Sequence, residues 1–114
     1  VQVFRSVNQS TPFDVALTSA NGSSGDPNSP SITSVTDEAM IISIGFTEDD
    51  AVTSVTAPSG FGDLDWISVG NPNVAATAMA ASLLQVTAGA INPSAFNTNG
   101  DDSWYAITDA LRPA

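Results

Sequence analysis

The chain has no histidine, no lysine and no cysteine, and only two basic residues, Arg5 and Arg112, stand against twelve acids in 114 residues. Each absence excludes a chemistry. Without histidine, the usual general base near neutral pH and the imidazole ligand of zinc are missing. Without cysteine there is no disulfide framework, no thiolate nucleophile and no redox argument. Without lysine there is no amine for covalent catalysis. Two arginines neutralise few phosphates, and the formal net charge is −10, so neither nucleic acid nor an anionic membrane surface is an expected partner. No apolar run approaches the length needed to cross a bilayer as a helix.

What is there is a Ser-, Thr-, Asn- and Ala-rich chain that is 42% hydrophobic, which argues against simple disorder despite the charge. The length suits one domain, residues 1–114, with a core of its own. The charge favours solubility and repulsion between copies unless neutral surfaces offset it. The first residue is Val1, in a run that already reads as extended, and no signal peptide is visible. The chain therefore reads as a processed, truncated or partial piece of something longer.

Short apolar runs separated by Gly, Pro, Asn, Ser and Asp give an all-β pattern. Residues 1–7 read as a strand and 8–12 as a turn. Phe13, Val15 and Leu17 alternate with Asp14, Ala16 and Thr18, as in a half-buried strand. Residues 19–30 are almost free of apolar side chains and read as a loop. A short strand is expected at 32–35. The clearest strand follows Asp37 and Glu38: Met40, Ile42, Ile44 and Phe46 face one way, Ala39, Ile41, Ser43 and Gly45 the other. Both rows are apolar or small, so this strand is expected to be central and covered on both faces. Residues 47–50, with three consecutive acids, end it.

Residues 52–55 and 64–69 are further strand candidates, with turns at 57–60 and 70–73. Residues 74–86 are ambiguous. Their alanines and leucines favour a helix, and Asn71-Pro72-Asn73 suits a helix cap. The same run also fits a long small-residue strand. Residues 89–100 read as loop with an extended piece at 94–96, and 104–111 as the last strand. No internal repeat is present.

Two end segments carry a resemblance. Val3-Phe4-Arg5-Ser6-Val7-Asn8-Gln9-Ser10-Thr11-Pro12-Phe13-Asp14 opens the chain, and Ser103-Trp104-Tyr105-Ala106-Ile107-Thr108-Asp109-Ala110-Leu111-Arg112-Pro113-Ala114 closes it. Between them lie Thr36-Asp37-Glu38-Ala39-Met40-Ile41-Ile42 and Ala57-Pro58-Ser59-Gly60-Phe61. In this order the motifs resemble the C-terminal part of a family of β-sandwich, jelly-roll-like domains. Such domains occur in tailed-phage virion proteins and in prophage-borne or secreted bacterial proteins. The resemblance spans nearly the whole chain and implies an antiparallel, jelly-roll-like β-sandwich. It also implies strand rather than helix for 74–86, against propensity. Ser6 stands where a glycine is common in the family. The family's preceding strands are absent, so the front of the sandwich is missing or supplied elsewhere.

Candidate chemistry is sparse. Glu48, Asp49 and Asp50 share a turn, Asp63 and Asp65 share a face if their segment is extended, and Asp101 and Asp102 form another turn. Such loops can hold calcium, but no EF-hand spacing occurs and solvated surface acids are the plainer reading. Paired carboxylates also suit glycoside hydrolysis, yet nothing marks one of them for a raised pKa. The serines have no histidine to activate them. Gly60-Phe61-Gly62 and Asn21-Gly22-Ser23-Ser24-Gly25 lack the lysine and frame of a phosphate loop. No catalytic, cofactor-binding or metal-ligating residue is therefore assigned, and no cofactor is expected.

Trp66 and Trp104 are expected in the core before they are expected on a sugar or a partner. Phe61, after its Pro-Ser-Gly turn, is expected to be the exposed aromatic. Asn8-Gln9-Ser10 and Asn21-Gly22-Ser23 match a glycosylation pattern, but turn chemistry explains both asparagines. Arg5 and Arg112 are expected near each other, pairing with acids such as Asp14 or Asp109. A surface ion pair worth under about 1 kcal/mol is the plainer reading, an inter-subunit bridge the sharper one.

The expected function is a non-enzymatic structural virion protein: a phage capsid decoration or a tail or fibre component, located in the virion or otherwise extracellular. Its partners would be other virion proteins and copies of itself, covering the edges at 1–7 or 104–111. The alternative is a carbohydrate-binding adhesin module of a tail fibre or bacterial surface protein, with a glycan as partner.

Overall fold

A computed structural model describes residues 1–48, 52–71 and 74–114. Nine strands run in chain order: β1 (Thr18–Gly22), β2 (Ile32–Thr33), β3 (Ala39–Thr47), β4 (Val55–Thr56), β5 (Gly62–Asn71), β6 (Val74–Gln85), β7 (Ala90–Ile91), β8 (Asn97–Thr98) and β9 (Trp104–Leu111). Five of them form one antiparallel sheet in the order β1-β9-β3-β6-β5, while β2-β7 and β4-β8 are two-stranded ladders. The class is all-β and antiparallel, with no helix among the described residues.

The central position of β3 follows from its two apolar rows. It pairs with β6 from Ala39↔Gln85 to Thr47↔Thr77 and with β9 from Met40↔Leu111 to Thr47↔Trp104. Its odd-numbered row is buried throughout. Ala39 and Ile41 pack with Ile32 and Ala110, joined by Val15, Phe61 and Ile91. Met79 and Ala81 of β6 pack with Phe96, joined by Val55, Ala57, Phe61 and Leu64. The two small ladders and their connections thus cover one face of the large sheet. The even-numbered row is different: Ile42 is buried, Met40 and Ile44 are half-buried and Phe46 is exposed. The expected cover on both faces is therefore complete on one only.

Small residues let the covering segments come close. A Cβ on Gly45 would lie 2.8 Å from Pro27 Cβ, 3.1 Å from Met79 Cγ and 3.2 Å from Phe96 Cδ2. Ser43 and Ser29 share a buried hydroxyl hydrogen bond of 2.7 Å, and Thr108 Oγ1 donates to the Pro30 carbonyl. These hydroxyls enter the core with partners, as burial demands.

Residues 74–85 form strand rather than helix. Each alanine gives up helix propensity worth a few tenths of a kcal/mol. In return β6 supplies a backbone partner to both β3 and β5, and a helix there would leave β5 unpaired and β3 with β9 alone. The turn expected at 70–73 is entered by the Asn71↔Val74 pair, while residues 72 and 73 lie outside the described residues, as do 49–51 of the acidic turn after β3. The turn at 57–60 forms, with Phe61 N donating to Pro58 O at 3.0 Å and Gly60 at φ +83°. That φ suits glycine at the third position of a type II turn.

Four local expectations are corrected. Residues 1–7 are extended but form no strand; Val7 makes a single bridge to Pro113 after Ser6 takes a left-handed φ of +57°. Residues 13–17 form no strand, and their alternation is not kept: Asp14 is buried and Val15 packs on the core, while Phe13, Ala16 and Leu17 are exposed. The expected loop 19–30 contains most of β1, whose Asn21 pairs with Tyr105 instead of making a turn. In 89–100 the extended pairs are β7 and β8, not 94–96, where Phe96 instead inserts into the core at 1% exposure.

Trp104 rests on Gly22, where an added Cβ would lie 2.5 Å from the indole Nε1, and that nitrogen donates to Ser24 O at 3.0 Å. Gly22→Ala is expected to push the indole aside, break this bond and cost about 1–3 kcal/mol. Urea unfolding and tryptophan emission check it; an unchanged midpoint and spectrum would show that the indole has room to move.

Candidate functional site

The face left open by the covering layer is lined by Met40, Ile42, Ile44 and Phe46 of β3 and the residues in register with them. These are Ala78, Ala80, Ser82 and Leu84 of β6, Tyr105, Ile107, Asp109 and Leu111 of β9, and Asp65, Ile67 and Val69 of β5. Residues 1–7 cross one end of it, over a cavity of about 790 Å³ that reaches Met40, Ser82, Leu84 and Leu111. Gln2 Nε2 donates to Ala80 O at 3.1 Å, where a bulge between Gly62 and Asp65 interrupts the β5–β6 ladder.

The other end is uncovered. Phe46 and Tyr105 are each 43% exposed, Ile67 62% and Val69 57%. With Ala76 and Ala78 they line a groove of about 400 Å³ that Thr47, Glu48, Thr77, Ser103 and Trp104 border. Glu48 is its one titratable acid among the described residues. The two threonine hydroxyls are engaged: Thr47 Oγ1 donates to Ser103 O at 3.3 Å, and Thr77 Oγ1 to Ser68 Oγ at 2.9 Å. Its four large side chains, Phe46, Ile67, Val69 and Tyr105, are each two-fifths or more exposed and contiguous in register. Such a surface can bury itself against another apolar surface.

The acids singled out from the sequence do not meet there. Asp63 and Asp65 both lie at the cavity under residues 1–7. Asp63 takes φ +49° and its Oδ2 accepts from Ser82 Oγ at 3.3 Å, while Asp65 meets the amino group of Val1. Asp101 accepts from Gly25 N at 2.6 Å and Asp102 from Ser103 N at 2.7 Å, so both hold loops. Asp49 and Asp50 lie outside the described residues. Among the described residues, no three acids cluster as cation ligands.

The aromatics also redistribute. Phe61, expected to be exposed, packs against both core clusters. Trp104 is half-buried and Trp66, at 36% exposure, sits on the edge strand β5. Phe46 and Tyr105 are the aromatics that face the groove, and only the register of β3 against β9 sets them side by side. The sequence signal for Phe46 was its place at the end of an apolar row; nothing local marked Tyr105.

Arg112 pairs with Asp14, but not as a surface ion pair. The Asp14 side chain is fully buried and that of Arg112 is 32% exposed, with Nε donating to Oδ1 at 3.2 Å. Val35 N and Thr36 N donate to Oδ2 at 2.6 and 3.2 Å, and Arg112 Nη2 donates to Asp14 O at 3.2 Å. Burial pushes the Asp14 carboxyl up, but the bonds from Thr36, Val35 and Arg112 outweigh it and hold it below its ordinary 3.8. Arg5 is exposed and makes no ion pair among the described residues. The two chain ends do meet, through Asn8 N to Arg112 O at 2.9 Å and Ala114 N to Ser6 O at 2.7 Å.

Compared with known proteins, the chain matches no family model, no curated protein and no solved structure. The fold and the open face define an all-β protein with an apolar sheet surface left uncovered at one end among the described residues.

Proposed function

We propose that the chain is a non-enzymatic structural protein of a virion, a phage head decoration or a tail or fibre component. It would attach by laying the open end of its five-stranded sheet against a neighbouring protein. The observation that carries the docking role is the uncovered apolar groove around Phe46, Ile67, Val69 and Tyr105 on a chain of net charge −10. Dispersed acids keep such a chain soluble, so a charge-poor apolar surface of this size is costly unless a partner covers it. The virion setting is supported by the sequence resemblance alone. A sugar-binding adhesin is the less favoured reading, because most of the groove's lining is apolar and its two threonine hydroxyls are already engaged.

The test is co-sedimentation with tailed particles from a culture carrying the gene. The unmodified chain is expected to be taken up. The double variant Phe46→Asp, Tyr105→Asp is expected to bind at least about tenfold more weakly, since two anchors at the centre of the face are lost. Both positions are partly exposed, so the fold is expected to survive. Absence of uptake of the unmodified chain, or equal uptake of the variant, overturns the reading. Binding on a glycan array without particle uptake would favour the adhesin.

A further inference from the structure

The outer edge of β5 points to a second copy of this chain. β5 ends the five-stranded sheet and pairs with β6 alone. Every second residue along it therefore turns its N–H and C=O outward, unpaired. Sheets usually guard such an edge with charges, proline or a bulge. Here the guards sit in the first half only: Asp63, Asp65 and the bulge between Gly62 and Asp65, with Asp63 at φ +49°. From Trp66 onward the strand reads Trp-Ile-Ser-Val-Gly-Asn, with no charge and no proline. Ile67 and Val69 on it are 62% and 57% exposed. The opposite edge, β1, is a shorter run of Thr, Ser, Ala, Asn and Gly.

We infer that two copies pair β5 to β5, antiparallel, about a twofold axis through Ser68. Paired residues must share a face of the sheet, so the axis passes through a residue and not between two. Ser68 is the midpoint of the run 65–71, which keeps an unbroken register with β6 although Gly70 takes φ +125°. Centring there sets Ile67 opposite Val69 of the other copy, twice, and the Trp66 position opposite Gly70. Asp65 falls opposite position 71, so no acid faces an acid. Opposed apolar pairs of this kind are the unit of sheet stability. The two sheets merge into one, each copy's β5 edge is consumed, and the twofold closes the assembly at a dimer. This contact joins backbone edges and leaves the open face free, although Ile67 and Val69 belong to both; linkage through position 68 on the purified chain, which particle uptake by the face does not require, separates the two, so either can fail without the other.

The chain has no cysteine, so single-cysteine variants report proximity directly. Ser68→Cys is expected to form a disulfide-linked dimer on mild oxidation, since residues opposed in an antiparallel pair have Cα atoms about 4.5–5.5 Å apart, within disulfide range. Phe46→Cys is not, because five strand spacings put the two positions about 24 Å apart. Sedimentation equilibrium of the unmodified chain is expected to show a dimer that tightens as salt rises and screens the repulsion between two acidic copies. Ile67→Lys, at an exposed position, is expected to weaken that dimer at least about tenfold, the change occurring twice across the axis. A chain that stays monomeric at high salt overturns the inference. So does a dimer indifferent to Ile67→Lys, or linkage through position 46 without linkage through 68.

Discussion

Phe96→Ala is expected to lower the unfolding free energy by about 4 kcal/mol, the largest single effect in this chain. Phe96 is 1% exposed and is the bulkiest of the fully buried side chains. It enters the core from the connection between β7 and β8, against Met79 and Ala81, with Val55, Ala57, Phe61 and Leu64 around it. Its backbone is fixed by Phe96 N to Pro27 O at 3.0 Å, and its ring would lie 3.2 Å from a Cβ on Gly45. Truncation loses the transfer energy of the ring and leaves a void that buried Pro27 and Pro58 are poorly shaped to fill. Typical domains hold only 5–15 kcal/mol in all, so the variant is expected near the limit of folding. Urea unfolding followed by tryptophan fluorescence reads the loss. Phe96→Leu, which keeps most of the volume, is expected to cost under about 2 kcal/mol. Equal losses for the two would mean that the site does not depend on filled volume.

Asp14→Asn is expected to cost about 3 kcal/mol at neutral pH, a fall of roughly 12 °C in Tm for a domain of this size. The substitution removes the charge that Arg112 faces and places an amide where the Val35 and Thr36 amides already donate. Its pH dependence distinguishes it from a packing defect. The folded carboxyl titrates below its ordinary 3.8, so its contribution to stability is fully present above that value. It is lost as the pH falls through the folded value, when the native state must accept the proton. The difference between the unmodified chain and Asp14→Asn is therefore expected to be flat from pH 8 to about 5 and to shrink below about 4. A difference that stays constant into acid would remove Asp14 from the pH response.

The same residue shows where pattern reading failed. Phe13, Val15 and Leu17 alternate with polar residues as in a half-buried strand, and the period assigned Asp14 to solvent. In the fold the chain bridges at Phe13 and hydrogen-bonds Asp14 N to Ala110 O at 2.8 Å, which turns the carboxylate inward toward Arg112. A charge is buried there because its partners are 21 to 98 residues away in sequence. No local pattern encodes that. β3 is the opposite case: both its rows are apolar or small, and its central place could be read from the residues alone. The Ala-rich β6 lies between. Propensity favoured a helix, the family resemblance favoured a strand, and the need of β3 and β5 for a common partner is what the fold satisfies.

The candidate surface was less legible than the core. Phe61 looked exposed from its turn, yet it joins both core clusters, because the turn at 57–60 folds back over the covered face. Phe46, Ile67, Val69 and Tyr105 come from three strands far apart in the chain, and each by itself reads as an ordinary strand residue. Likewise, 104–111 looked like an exposed edge, but β9 lies between β1 and β3, and the free edges belong to β1 and β5.

By itself, the sequence determined which groups the chain has to work with: no histidine, lysine or cysteine, two arginines and −10 of net charge, set in short apolar runs that read as all-β. Those properties depend on which groups exist, and no folding can add one. The tertiary structure alone decided which of the two rows of β3 meets solvent, that Arg112 is spent on a buried Asp14, and that an acidic chain carries one charge-poor apolar face. Those outcomes depend on register and on which segments cover which face, and they are set by pairings between residues that the sequence keeps far apart.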